Sequence, residues 1–132
     1  MAEVPANYMD LLTQKKAFAH LATLQPDGSP QVTPVWFDYT GGKIRVNTAQ
    51  GRVKARNLFE GAKVALSILD PDNPYRYIQI RGTVTKATTD GAMEHIDSLA
   101  KKYIGQDKYP WHKQGDVRVM YEITPSSVQA MG

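Results

Sequence analysis

The sequence predicts a mainly β fold, a six-stranded antiparallel barrel with short helices inserted between strands. Apolar runs, several alternating with polar residues, are bounded by turn clusters rich in Gly, Pro, Asp and Asn. Most successive runs are joined by connections short enough for hairpins. Strands do not alternate regularly with helices, which disfavours a doubly wound parallel sheet and with it a dinucleotide fold.

In chain order, Tyr8, Leu11 and Leu12 within 7–16 have helical spacing and predict a short helix. Residues 18–24 predict a strand with both faces largely buried. Pro26, Asp27 and Gly28 make a turn. Residues 31–39 predict a second strand with Val32, Val35 and Phe37 as core candidates, and Pro34 places it at an edge or bulge because it donates no ladder hydrogen bond. Gly41 and Gly42 close a hairpin into residues 43–48, where Ile44 and Val46 face one side and Lys43, Arg45 and Asn47 the other.

Residues 51–60 predict a helix with Val53, Leu58 and Phe59 inward, stopped by Gly61. A buried strand over 64–69 ends at Asp70, and a long strand over 75–86 sets Tyr75, Tyr77, Gln79 and Arg81 against Ile78 and Ile80. A helix capped by Asp90 carries the stripe Met93, Ile96, Leu99, Ala100, Tyr103 and Ile104, and Gly105 ends it. A last strand spans 117–123, with a further extended piece at 127–130.

A chain of 132 residues, 42% hydrophobic and 22% charged, reads as one soluble globular domain over 1–132. It has no cysteine, hence no disulfide or thiolate chemistry. No secretory signal and no apolar run of membrane-spanning length is visible, so a cytoplasmic protein without a membrane partner is expected. The net charge of +3 suits an anionic ligand, and its dispersed Lys and Arg argue against nucleic acid.

The segment Asn47, Thr48, Ala49, Gln50, Gly51, Arg52, Val53, Lys54, ending near Asn57, carries the chemistry. A strand ends, a small polar loop follows, and a helix is expected to begin near Gly51. Free N–H groups there favour anions, whereas Arg52 and Lys54 in a first turn oppose the helix dipole. An anion bound among them resolves the conflict, Arg52 offering a planar fork and Lys54 a mobile point charge. The alternative is a solvent-facing cationic helix face.

The string LATLQPDGSPQVTPVWFDY, the strand ending VNT, GRVKARNL, ILDPDNPYRYIQIRG, KKYIG and YPW resemble the coenzyme F420-dependent branch of the pyridoxamine 5'-phosphate oxidase-like flavin and deazaflavin oxidoreductases. The resemblance covers about residues 15–125. It implies a split β-barrel of the FMN-binding type, paired as a homodimer with two cofactor sites at the subunit interface. It implies that Arg52 and Lys54 hold the cofactor's phosphate, with Asn47, Thr48, Ala49, Gly51 and Asn57 beside them. Backbone from Thr33 through Pro34 and Val35 to Trp36 would line the ring. Leu69, Tyr75, Arg76, Tyr77 and Trp111 would lie near ring or tail. The order Gly51, Arg52, Val53, Lys54 departs from the serine-arginine-lysine pattern of FMN-using relatives, which favours F420 over FMN and puts pyridoxamine-phosphate oxidation in doubt.

The resemblance implies hydride transfer from reduced cofactor to an activated conjugated or heterocyclic small molecule, with Tyr77 or solvent as proton donor. FMN-dependent oxidation or reduction and non-catalytic cofactor binding are the rival functions. Tyr75, Arg76 and Tyr77 otherwise read as a barrel wall, and Trp111 as a lid or a hydrophobic plug. His20, His95 and His112 are scattered, one on a strand and two on the surface, and predict no metal site. No serine has a nucleophile-elbow context.

Overall fold

The computed structural model describes residues 2–132. Its elements are α1 (Asp10–Thr13), β1 (Ala19–Leu24), β2 (Pro30–Val35), β3 (Asp38–Thr40), β4 (Lys43–Ala49), α2 (Val53–Asn57), β5 (Lys63–Asp70), β6 (Asn73–Thr88), α3 (Ala92–Ile104) and β7 (Arg118–Met131). The strands form one seven-stranded antiparallel sheet in the order β2-β1-β5-β6-β7-β4-β3.

That order forces a barrel. β2 and β3 lie at opposite edges, yet only Trp36 and Phe37 separate them in sequence. Laid flat, the outer strands of such a sheet would be roughly 29 Å apart. The link from Val35 to Asp38 reaches at most about 11 Å. The sheet therefore curls until its edges approach, giving a split β-barrel whose seam is bridged by these two residues.

The predicted strand 31–39 is divided for this reason. Residues before the seam pair with β1 and those after it with β4, which raises the strand count from six to seven. At the seam, Phe37 takes its polar partners from α3. The Tyr103 hydroxyl accepts from the Phe37 N–H at 3.3 Å and donates to the Ala17 carbonyl at 2.6 Å. Lys102 donates to the Phe37 carbonyl at 2.8 Å. Phe37 is fully buried, so these bonds replace ladder partners its backbone would otherwise lack.

Period-two alternation fills the interior. Ile44 and Val46 of β4, Leu66 and Ile68 of β5, and Ile78 and Ile80 of β6 pack with Leu21, Phe37 and Ile123. Leu11 and Leu12 add to the same core. At the irregularity between β6 and β7, Gly82 admits no side chain, since a Cβ there would lie 2.5 Å from the Thr124 carbonyl oxygen.

Other expectations are corrected. β1 buries one face only: Ala19, Leu21 and Thr23 point in, whereas Phe18, His20 and Leu24 are exposed. Val32, opposite Ala22, shares that outer face and is exposed rather than core. The first helix shortens to a 3-10 turn at Ala6–Tyr8 followed by α1. α2 begins at Val53 and ends at Asn57, short of Gly61; Val53 and Phe59 face out and only Leu58 packs inward. Gly91, at φ 73°, precedes α3 in place of an Asp90 cap, and Met93 and Ile104 lie partly exposed at the margin of its stripe. The last two extended pieces are one strand, β7.

Tyr103→Phe keeps the ring and removes the seam hydroxyl. With the Phe37 N–H and Ala17 carbonyl left unpaired, the variant should lose about 1–3 kcal/mol of stability in urea unfolding.

Candidate functional site

The seam brings five elements around one cavity of about 240 Å³. The end of β2 supplies Pro34, Val35 and Trp36, and β4 supplies Asn47 and Thr48. Arg52 and Lys54 come from the start of α2, Arg118 from the start of β7, and Ile96 and Leu99 from α3. Phe18, Tyr109 and Trp111 complete the wall.

One side is aromatic. The Trp36 ring stacks on Tyr103 with centroids 5.3 Å apart and planes 3° from parallel. Tyr109 meets Trp36 edge-on at 6.0 Å, and Trp111 lies 6.1 Å from Trp36. The Tyr109 N–H donates to Asp97 Oδ1 at 2.8 Å, which ties this loop to α3. Trp111 remains 59% exposed, so it rims the cavity instead of plugging the core.

The other side is cationic. No Asp, Glu or His lines the cavity among the described residues, while Arg52, Lys54 and Arg118 all do. Burial, aided by the neighbouring Arg52 charge, pulls the Lys54 ammonium below its ordinary pKa. Burial does the same to Arg118, a residue only 5% exposed. Its Nε donates to Asn47 Oδ1 at 2.8 Å, its guanidinium carbon lies 5.1 Å from the Tyr109 ring centroid, and Nη1 is buried without a partner. Desolvated cations without counter-charges are costly, and an anionic ligand would offset that cost.

Of the residues singled out from sequence, Pro34, Val35, Trp36, Asn47, Thr48, Arg52, Lys54 and Trp111 meet at this cavity. Thr33 is in β2 but outside the lining, and Ala49 is buried at the end of β4. Gly51 sits in the turn before α2 at φ 88°. Asn57 is buried and donates to Thr23 Oγ1 at 3.1 Å. Leu69, Tyr75, Arg76 and Tyr77 belong to the β5–β6 hairpin, off the cavity.

Arg76 is committed elsewhere, pairing with Asp10 at 2.7 Å and Asp70 at 2.9 Å. Asp70 also accepts from the Asp72 N–H and from Lys15; together these bonds hold its carboxyl down to about 2. The dipole argument for Arg52 and Lys54 also changes. α2 has five residues and Arg52 precedes it in extended conformation, so a helix dipole does not govern these cations; Lys54 is desolvated and Arg52 is exposed.

The sequence reading missed Phe18, Ile96, Leu99, Tyr109 and Arg118 as lining residues. It also set His95 on the surface, whereas it is buried behind the cavity. Its ring Nε2 lies 3.2 Å from Asp38 Oδ2, and Asp38 is gripped by Arg45 through two bonds of 2.7 Å. Burial alone would raise the Asp38 carboxyl pKa, but the bonds from His95 and Arg45 outweigh it and bring the value to about 2.

Comparison with known proteins follows the same outline. The family model described as pyridoxamine 5'-phosphate oxidase matches residues 5–132. A solved structure named F420 reductase is 35% identical, with a TM-score of 0.81 over 96% of this chain and 98% of its own. A conserved hypothetical protein from Mycobacterium tuberculosis is 20% identical, with a TM-score of 0.68 over 99% of this chain and 86% of its own. The FAD and heme binding protein of Mycobacterium smegmatis is 19% identical, with a TM-score of 0.71 over 98% of this chain and 71% of its own. The last two share the fold. Among the described residues, no helix is long and apolar enough to cross a membrane.

Asp38→Asn should show its cost as a function of pH. The carboxyl is depressed from 3.8 to about 2, so its stabilisation is present above pH 3.8 and is lost as pH falls towards 2. Melting temperatures should therefore differ most between wild type and variant near neutrality and converge towards pH 2.

Proposed function

The chain belongs to the pyridoxamine 5'-phosphate oxidase family, and on that premise we propose that it is an oxidoreductase using coenzyme F420. The observation that carries this reading is the two-sided cavity, with aromatic rings on one side and three cations lacking carboxylate partners on the other. Such a site suits a flat ring system bearing a phosphate. The choice of F420 over FMN rests on the 35% identity, over nearly the full length of both chains, to the protein named F420 reductase. An FMN-dependent oxidoreductase on the same barrel is the second reading, favoured by the family description.

In this reading Arg52 and Lys54 hold the phosphate, and Trp36, Tyr109 and Trp111 flank the ring. Backbone at Pro34 and Val35 sets its depth. The coenzyme when bound supplies hydride chemistry of its own, directed at an activated conjugated or heterocyclic substrate. The chain's part is to orient the ring, fix the phosphate and restrict water. Among the described residues no carboxyl or imidazole lines the cavity and Tyr77 lies outside it, so solvent is the proton source we propose.

A cavity of about 240 Å³ takes a ring but not a whole nucleotide-sized cofactor. We therefore also propose a homodimer in which a second copy completes each site. The exposed apolar row of Phe18, Leu24 and Val32 on the outer sheet face supports it.

Titration with F420 and with FMN, followed by quenching of Trp36 and Trp111, should show tighter binding of F420. Submicromolar FMN binding without detectable F420 binding would reverse the choice.

Lys54→Ala should weaken cofactor binding about tenfold to a hundredfold by removing a charge-assisted bond worth roughly 1.5–3 kcal/mol. Its cofactor-free melting temperature should stay equal or rise, because a desolvated cation beside Arg52 is gone. Arg56→Ala, outside the cavity, is the control and should bind normally.

A further inference from the structure

Behind the cavity a line of buried and half-buried polar side chains ends on Arg118. Asn47 uses its whole amide: Nδ2 donates to the Ala92 carbonyl at 2.8 Å and faces His95 Nδ1 at 3.1 Å, while Oδ1 accepts from Arg118 Nε at 2.8 Å. The amide cannot be turned over, because its NH₂ would then confront the Arg118 N–H donor. With Asn47 Nδ2 donating, His95 Nδ1 is the acceptor and its ring proton sits on Nε2, which lies 3.2 Å from Asp38 Oδ2 without the alignment of a full hydrogen bond. Asp38 is anchored by the two Arg45 bonds.

Asn47 thus holds Arg118 at Nε alone. Tyr109 lies against the guanidinium, Nη1 is buried with no partner, and the residue lines the cavity. Asp116 attracts it without forming an ion pair. A guanidinium kept for packing alone would be expected to have its fork satisfied.

We propose that Arg118 is a ligand-binding residue whose fork donates to acceptor oxygens of the bound ligand, and that Asp38 and His95 are positioning residues that aim it through Asn47. The proposal rests on the reading that a flavin-like ligand occupies this cavity. It adds a recognition group from β7, separate from the Arg52 and Lys54 pair on the α2 side.

The test measures F420, FMN and riboflavin affinity by tryptophan quenching, with melting temperatures, for wild type, Arg118→Met, Arg118→Lys, His95→Leu, His95→Gln and the Leu/Met double variant. Arg118→Met and His95→Leu should each weaken binding about tenfold, and the double variant should bind no worse than Arg118→Met alone. Arg118→Lys keeps the charge without the fork and should fall nearer Arg118→Met than wild type. His95→Gln should recover most of the affinity, since its amide can accept from Asn47 and donate to Asp38. If His95→Leu does not fold, Asp38→Asn takes its place with the same expectation. Equal losses with FMN and riboflavin assign the fork to ring oxygens; a loss confined to the phosphorylated ligands assigns it to the phosphate. Unchanged binding in Arg118→Met, full additivity in the double variant, or a His95→Leu defect in melting temperature alone would each overturn the proposal. Wild type binding none of the three probes would overturn it together with the proposed function; wild type binding with Arg118→Met and His95→Leu unaffected would overturn this inference alone.

Discussion

The two-residue bridge at Trp36 and Phe37 is the constraint on which the rest of the molecule depends. It joins the first and last strands of a seven-stranded sheet and so dictates that the sheet closes. Closure leaves a stretch of backbone without a neighbouring strand, and α3 supplies what the ladder cannot, through Tyr103 and Lys102. The same side chain that satisfies the Phe37 backbone stacks on the Trp36 ring. One helix thus stabilises the seam and sets one wall of the cavity, so changes on the far face of α3 can be felt by a ligand they never touch.

The cavity inherits its two characters from the elements that meet there. Its aromatic half comes from the seam and from the loop beyond α3, where a polar chain turns over an apolar helix face. Its cationic half comes from strand and helix ends, where Arg118 is buried, Lys54 half-buried and Arg52 exposed. Among the described residues no carboxylate lining the cavity relieves the Coulomb repulsion among Arg52, Lys54 and Arg118. Elsewhere the chain handles buried charge differently. Asp70 sits among Lys15 and Arg76, and Asp38 among Arg45 and His95. The contrast supports the proposal that a bound ligand matches the charge at the cavity.

Much of the fold was legible because burial follows strand period: Ile44 and Val46, or Ile78 and Ile80, announce their face by alternation alone. Pro34 likewise announced an edge. The division of 31–39 was not legible, since nothing local in Trp36 or Phe37 says that their neighbours pair with different strands. His95 was misread because a polar residue on a helix gives no sign that Asn47 and Asp38, distant in sequence, wait beneath it. Arg76 was left open between a binding surface and a barrel wall for the converse reason, its partners Asp10 and Asp70 being brought to it only by the fold. At the site, Arg52 and Lys54 were visible from their crowding after a strand, and the fold does gather them with Trp36. Arg118 lay unremarked at the start of an ordinary strand; its exceptional state is the unfilled fork, a property of its surroundings.

The edge strand β2 carries one more consequence. Pro30 and Pro34 both lie in it, and Val32 between them points its backbone the same way by strand parity. Proline is tolerated only where its missing N–H faces away from the ladder with β1. The open side of β2 therefore presents a single donor, that of Val32, along its whole length. A foreign strand arriving there finds carbonyl acceptors but a single donor, so amyloid-like stacking and strand swapping are disfavoured at this border. Along this border two copies of the chain can associate only by laying face upon face, with side chains rather than backbones deciding which pairs hold.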